Sequence, residues 1–258
     1  MIIRTGMVAF MAIALSACAL LTEKESNPRV NKELAAQANT QLGLSYMQDG
    51  NYEMALLKLE KALKLRPDRA ETHEAIAILY EQVGETALAE DHYLETLDIN
   101  PEYARGHNNY GQFLCTQGRY EEAEEEFLLA ANNAFYPVPS LPLTNAGLCA
   151  LRIPDPERAE AFFRQALSKD PRFAPALLQM ALLSHSKGNF MSARGYIQRY
   201  EEVAQHTAES LWLAIRNEHA LGDHQAWGNY AMTLGNTFPD SEEVKNLKVW
   251  ENERRSRK

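Results

Sequence analysis

Apolar residues recur along most of this chain at spacings of three and four, the period of a helix that buries one face. No stretch sustains the alternation of a strand. A longer period runs through the same pattern. Gly50, Gly84, Gly118, Gly188 and Gly222 follow one another at intervals of 34, 34, 70 and 34 residues. The wide interval holds one further turn, where Pro154 stands in place of glycine. With the glycine as position 15 of a repeated unit, position 1 reads Ala36, Ala70, Ala104, Ser140, Ala174 and Ala208.

Other columns are as consistent. Position 8 is Gly43, Ala77, Gly111, Gly147, Ala181 and Ile215. Position 20 is Ala55, Ala89, Ala123, Ala159, Ala193 and then Trp227. Small residues at both positions let two helices approach closely. Large apolar residues at positions 7, 11 and 24 fill the space beside that contact, as in Leu42, Tyr46 and Leu59, or Ile76, Tyr80 and Tyr93. The glycine suits a tight turn with positive φ. Pro67, Pro101, Pro171 and Pro239 at position 32 end the second helix of their units; Phe135 and Gln205 take that place in units three and five.

A helix-turn-helix unit of this length and pattern resembles the tetratricopeptide repeat (TPR). The resemblance covers residues 36–239 as six units: 36–69, 70–103, 104–139, 140–173, 174–207 and 208–239. It implies an all-α, right-handed superhelical solenoid whose units stack only on their neighbours. Two extra residues fall in the segment from Phe135 to Pro142, which carries Pro137, Pro139 and Pro142. A rigid, extended elbow is expected there. Residues 240–258 predict a capping helix and basic tail, with Ser241 as N-cap and Arg254, Arg255, Arg257 and Lys258 at its end.

The beginning of the chain has another character. Arg4 precedes a ten-residue apolar run, Gly6 to Leu15, too short to span a bilayer. It ends in Leu15-Ser16-Ala17-Cys18, which resembles a bacterial lipobox. That resemblance implies a signal peptide over residues 1–17, acylation of Cys18 and a polar tether over residues 18–35. Two or more acyl chains anchor firmly where one does not. Ala19, rather than Asp, favours the outer membrane by bacterial sorting rules. An ordinary secretory signal with a chance cysteine is the competing reading.

With 26 basic and 35 acidic residues, the chain has a formal charge of −9 and no broad electrostatic reason to bind nucleic acid. Cys115 and Cys149 fall at positions 12 and 10 of units three and four, on neighbouring first helices. In an oxidising periplasm they would pair across the elbow, or else remain two buried thiols. The seven histidines form no His-Glu-x-x-His motif, no Cys-x-x-Cys pair is present, and no Gly-rich phosphate loop or nucleophile elbow appears. The run Glu121–Glu126 has Ala123 at packing position 20, and its glutamates read as a solvated helix face. No catalytic residue, metal site or cofactor is expected.

In TPR proteins, positions 2, 5, 9, 12 and 13 of the first helix line the concave face. Positions 5 and 9 are expected to face the groove squarely. The residues so placed make a candidate partner groove: Leu44, Met47, Ile78, Asn108, Gln112, Leu148, Leu178, Leu182 and Trp212. More apolar surface than packing needs points to a partner protein, unless the elbow or the tail helix closes the groove. The Lys-rich set that grips a C-terminal carboxylate in chaperone-cofactor TPR proteins is missing.

A lipobox, a polar tether, six TPR units and the segments Leu42-Gly43-Leu44-Ser45-Tyr46 and Asn108-Asn109-Tyr110-Gly111-Gln112-Phe113-Leu114-Cys115 together resemble the TPR lipoproteins of type IV pilus biogenesis, the pilotins of the pilus secretin. The resemblance implies a non-enzymatic protein, anchored in the outer membrane and facing the periplasm. It would be a monomer before assembly, and would bind secretin subunits and promote their localisation and multimerisation for pilus biogenesis and twitching motility. A general scaffold for another envelope assembly machine, and an unrecognised periplasmic enzyme with a polar pocket, are the alternatives.

Overall fold

The computed structural model describes residues 28–153 and 155–256. The signal peptide, Cys18, the first part of the tether and Pro154 lie outside the described residues. Thirteen helices and no strands are found among those described. They are α1 (Pro28–Gln48), α2 (Tyr52–Leu65), α3 (Ala70–Val83), α4 (Thr86–Ile99), α5 (Ala104–Thr116), α6 (Tyr120–Asn132), α7 (Ser140–Ala150), α8 (Pro156–Lys169), α9 (Ala174–Ser186), α10 (Phe190–Glu201), α11 (Ala208–Ala220), α12 (His224–Thr237) and α13 (Glu242–Ser256). Six helix pairs stack in sequence as an all-α TPR solenoid. The backbones of first helices approach one another from unit to unit, whereas among the described residues those of second helices stay apart and meet through long side chains, as Arg158 of α8 meets Glu124 of α6 and Tyr230 of α12 meets Glu201 of α10. The first helices therefore form the inner row.

The local chemistry explains these boundaries. Gly50, Gly84, Gly118, Gly188 and Gly222 all have positive φ, between 72° and 84°. At Gly84 the left-handed residue lets its N–H reach back to the carbonyls of Tyr80 and Glu81. At the other end, Arg66, Asn100 and Asp170 each precede a proline and are extended, at φ near −140°, so each second helix ends there. Asn51, Asp155, Thr207 and Asp223 accept from backbone N–H groups as N-caps.

Three expectations need correction. First, α1 begins at Pro28, so residues 28–35, assigned to the tether, are helical. Proline suits a first helical position, and Glu33 pairs with Arg66 and Arg69, tying this extension to the first unit. Second, the elbow is not an extended run. Asn133 accepts from the N–H groups of Phe135 and Tyr136, Leu141 N–H donates to the Val138 carbonyl, and Pro142 sits in the first turn of α7, where its missing N–H has no helical partner to lose. Third, Leu42 is exposed. Its counterpart Ile76 packs against Met47, Ala55 and Leu59 of the preceding unit, and among the described residues no unit precedes that of Leu42. Unit six keeps the departure already visible in its sequence: Trp227 and Ile215 are large where the other units are small, and Ala231 is small where they are large.

A disulfide joins Cys115 of α5 to Cys149 of α7, with Cα atoms 5.9 Å apart. It clamps the inner row across the elbow. Over the far end, α13 lays Val244 and Leu247 against Leu211, Ile215 and Leu234, and Ser241 Oγ caps its first turn.

Candidate partner-binding groove

In units one to four, position 5 does not face the groove. Thr40, Glu74, Asn108 and Thr144 are all buried. Each begins on the inner row but turns toward the next first helix or back on its own. Thr40 Oγ1 lies 2.8 Å from Thr72 Oγ1, and Asn145 Nδ2 donates to Asn108 Oδ1 at 2.9 Å. Glu74, with 2% of its surface exposed, accepts from Tyr103 Oη at 2.8 Å, Arg105 Nε at 3.0 Å and Asn109 Nδ2 at 2.8 Å. Burial of this carboxylate is tolerable because every lone pair finds a donor. Leu178 packs on the cluster containing Leu213 and Ala214 of the following unit. In the last unit the following helix is α13, and Trp212 meets Trp250 edge to face at 6.1 Å. Trp212 and Asn108 were both assigned to the open groove. One packs against the cap, and the other is a buried link between units.

Position 9 is the row that faces outward. Leu44, Ile78 and Leu182 are half-buried, Gln112 is exposed and Leu148 is 40% exposed. Leu141 of α7 and Leu151, at the C-cap of that helix, widen the central apolar area. Met47, also assigned to the groove, is buried against Leu59 and Ile76. The groove thus retains Leu44, Ile78, Gln112, Leu148, Leu178 and Leu182, with Leu141 and Leu151 added.

Two clefts open from its N-terminal half. One, of about 360 Å³, lies among Leu44, Arg69, Glu74, Ile78, Arg105 and Asn109. The other, of about 470 Å³, lies beneath the elbow and shares Glu71 and Arg105 with the first. Phe135 stands at its rim, 95% exposed. An aromatic ring held out by a turn rich in proline makes a ready contact for a partner.

Two polar links between units were not foreseen. His73 and His107 occupy position 4 of units two and three, and each ring Nε2 lies at hydrogen-bond distance from a carbonyl, Pro67 at 3.0 Å and Pro101 at 2.8 Å. Their Nδ1 atoms meet His92 at 3.1 Å and Glu126 at 2.6 Å. Burial opposes charge on His107, but Glu126 and the Pro101 carbonyl outweigh it and its pKa is raised. Burial, with His73 beside it, lowers that of His92. No group of three metal-ligating side chains is found among the described residues, nor a helix long and apolar enough to cross a membrane.

Models of the tetratricopeptide repeat match residues 34–102 and 74–137. The chain is 32% identical over 252 residues to the type IV pilus assembly protein PilF of Pseudomonas aeruginosa, covering 96% of this chain and 99% of that protein. The solved structure of Pseudomonas aeruginosa PilF superposes with a TM-score of 0.72 at 33% identity, over 85% of this chain and 99% of the other. PilW, a widely conserved type IV pilus biogenesis factor, gives 0.71 at 30% identity, over 82% and 97%. YrrB, a TPR protein with an unusual peptide-binding site, shares the fold alone, at 16% identity and a TM-score of 0.53. A fold made of stacked interaction units, matched along nearly its whole length, makes this chain a protein-binding scaffold rather than an enzyme, and it belongs to the type IV pilus biogenesis TPR family of PilF and PilW.

Proposed function

We propose that this protein is a pilotin. It is anchored in the outer membrane through acylated Cys18, faces the periplasm, binds subunits of the type IV pilus secretin, and promotes their localisation and multimerisation. The observation that carries this reading is the likeness to PilF over nearly all of both chains. The lipobox residues Leu15 to Cys18 support the anchor. The groove supports the partner class, since leucines left open along an inner face are suited to the apolar side of another protein's segment.

The chemistry is one of binding alone. Open apolar side chains supply the affinity as water leaves them. The clamped, capped solenoid keeps them in place, so little ordering opposes association. Deleting the gene tests the reading: pili should be lost and the secretin should remain as unassembled subunits. Normal pili and a normal secretin ring in the deletion strain would refute it, and would favour a scaffold for another envelope machine.

A further inference from the structure

The position-9 row ends in a charge. After Leu44, Ile78, Gln112, Leu148 and Leu182 comes Arg216 on α11. Its guanidinium lies 5.6 Å from the centre of the Trp212 ring. The side chain is half-buried, and Nε is shielded from solvent with no hydrogen-bond partner.

Other half-buried arginines among the described residues have an oxygen to bond. Arg66 and Arg69 reach Glu33, Arg119 reaches Glu90, Arg158 reaches Glu124, Arg194 reaches Glu218, and Arg199 reaches the Pro171 carbonyl. Arg216 reaches none. Glu209, one helical stretch away on α11, is near enough for its charge to be felt and makes no ion pair. A guanidinium does not lose its proton at neutral pH, and desolvating it without a counter-ion is unfavourable. The Trp212 face offsets part of that cost. His185 of α9 is close by. Burial, together with the charge of Arg216, holds its pKa below the ordinary value against a hydrogen bond to Asn217, so Arg216 is the lasting cation of this end of the groove.

We infer that Arg216 anchors an acidic side chain, an Asp or Glu carried on an apolar segment of the partner protein, whose hydrophobic residues lie along Leu182, Leu178 and Leu148. The charge argues for this occupant. On a chain of net charge −9, an unpaired guanidinium at the end of a leucine row favours a carboxylate, which it binds in a two-pronged geometry that a neutral group does not match. A side-chain carboxylate is favoured over a chain terminus because positions 2, 5, 9, 12 and 13 of units five and six offer no lysine or asparagine to bracket a terminus. The inference rests on the pilotin reading only for the identity of the partner.

Fluorescence polarisation with overlapping peptides spanning the secretin subunit tests it. Apolar peptides that carry an acid should bind. Arg216→Gln should weaken them at least tenfold, Arg216→Lys should recover part of the loss, and Arg216→Glu should bind the peptide whose acid is replaced by lysine. Changing the peptide's acid to its amide against the unaltered protein makes the same test without touching the fold. Unchanged affinity in both the Arg216→Gln and the amide experiments overturns the inference. If the intact subunit binds but independently of Arg216, the anchor falls and the pilotin reading stands. If neither peptides nor subunit bind, the secretin assignment falls. A random peptide library then decides the anchor: selection of acidic apolar sequences that is lost in Arg216→Gln sustains it, and no such selection overturns it.

Discussion

A methyl group on Gly147 would stand under 3.0 Å from three ring carbons of Phe163. Gly43 and Leu59 stand in the same relation, as do Gly111 and Phe127. Positions 8 and 24 of a unit are thus one packing decision, in which the first helix gives up its side chain so that the second can insert a large one. Gly147→Ala should lower stability by about 1–3 kcal/mol through overpacking. Gly195→Ala, on α10 with open space around the added carbon, should raise it by up to about 1 kcal/mol through helix propensity. Urea denaturation of the two variants checks this, and equal midpoints would contradict it.

Cys115 and Cys149 are separated by 34 residues. Loop closure of that size in the unfolded chain corresponds to about 2–4 kcal/mol. The double Cys→Ser variant should lose about that much, and dithiothreitol should destabilise the parent protein but not the variant. A parent protein insensitive to reductant would contradict the bridge.

Leu148 is 40% exposed, and Leu44 is half-buried at the edge of the first core cluster. Leu148→Asp and Leu44→Asp should each weaken secretin binding tenfold or more, while Leu129→Asp, on the exposed side of α6, should not. Circular dichroism should be unaltered in all three. Full binding by both groove variants would move the partner to another face.

Protonated His107 is held by Glu126, and its folded pKa is raised. The sign follows from linkage: the contribution is fully present below the unfolded value of about 6.5 and is lost as pH rises through the folded value. Glu126→Gln should remove the charge partner and lower the His107 pKa, with burial then opposed by the Pro101 carbonyl and the more distant charge of Glu102. An NMR titration of the ring checks this, and a pKa unchanged by the substitution would contradict the pairing.

The repeat was legible because its register is written in residue size and backbone need: a small residue to start each first helix, a glycine at each described turn and a proline after most second helices. Ala70, Ala104, Ser140, Ala174 and Ala208 begin their helices at the residues the register predicts. The groove was less legible. Thr40, Glu74 and Asn108 are polar, and polarity alone reads as exposure. Their partners Thr72, Arg105 and Asn145 stand more than 30 residues away, on the first helix of the next unit. Leu42 and Trp212 are the two ends of the same effect, since their surroundings depend on whether a helix lies beyond them. The histidine links carried an unused signal, because His73 and His107 share a position and each follows a proline by six residues.

Cys18→Ala, expressed at the native level, tests the central claim most directly, with the secretin followed in separated inner and outer membranes. The account predicts that the variant is no longer acylated, that little secretin multimer reaches the outer membrane, and that twitching is lost. Wild-type amounts of outer-membrane secretin multimer in that strain would contradict it.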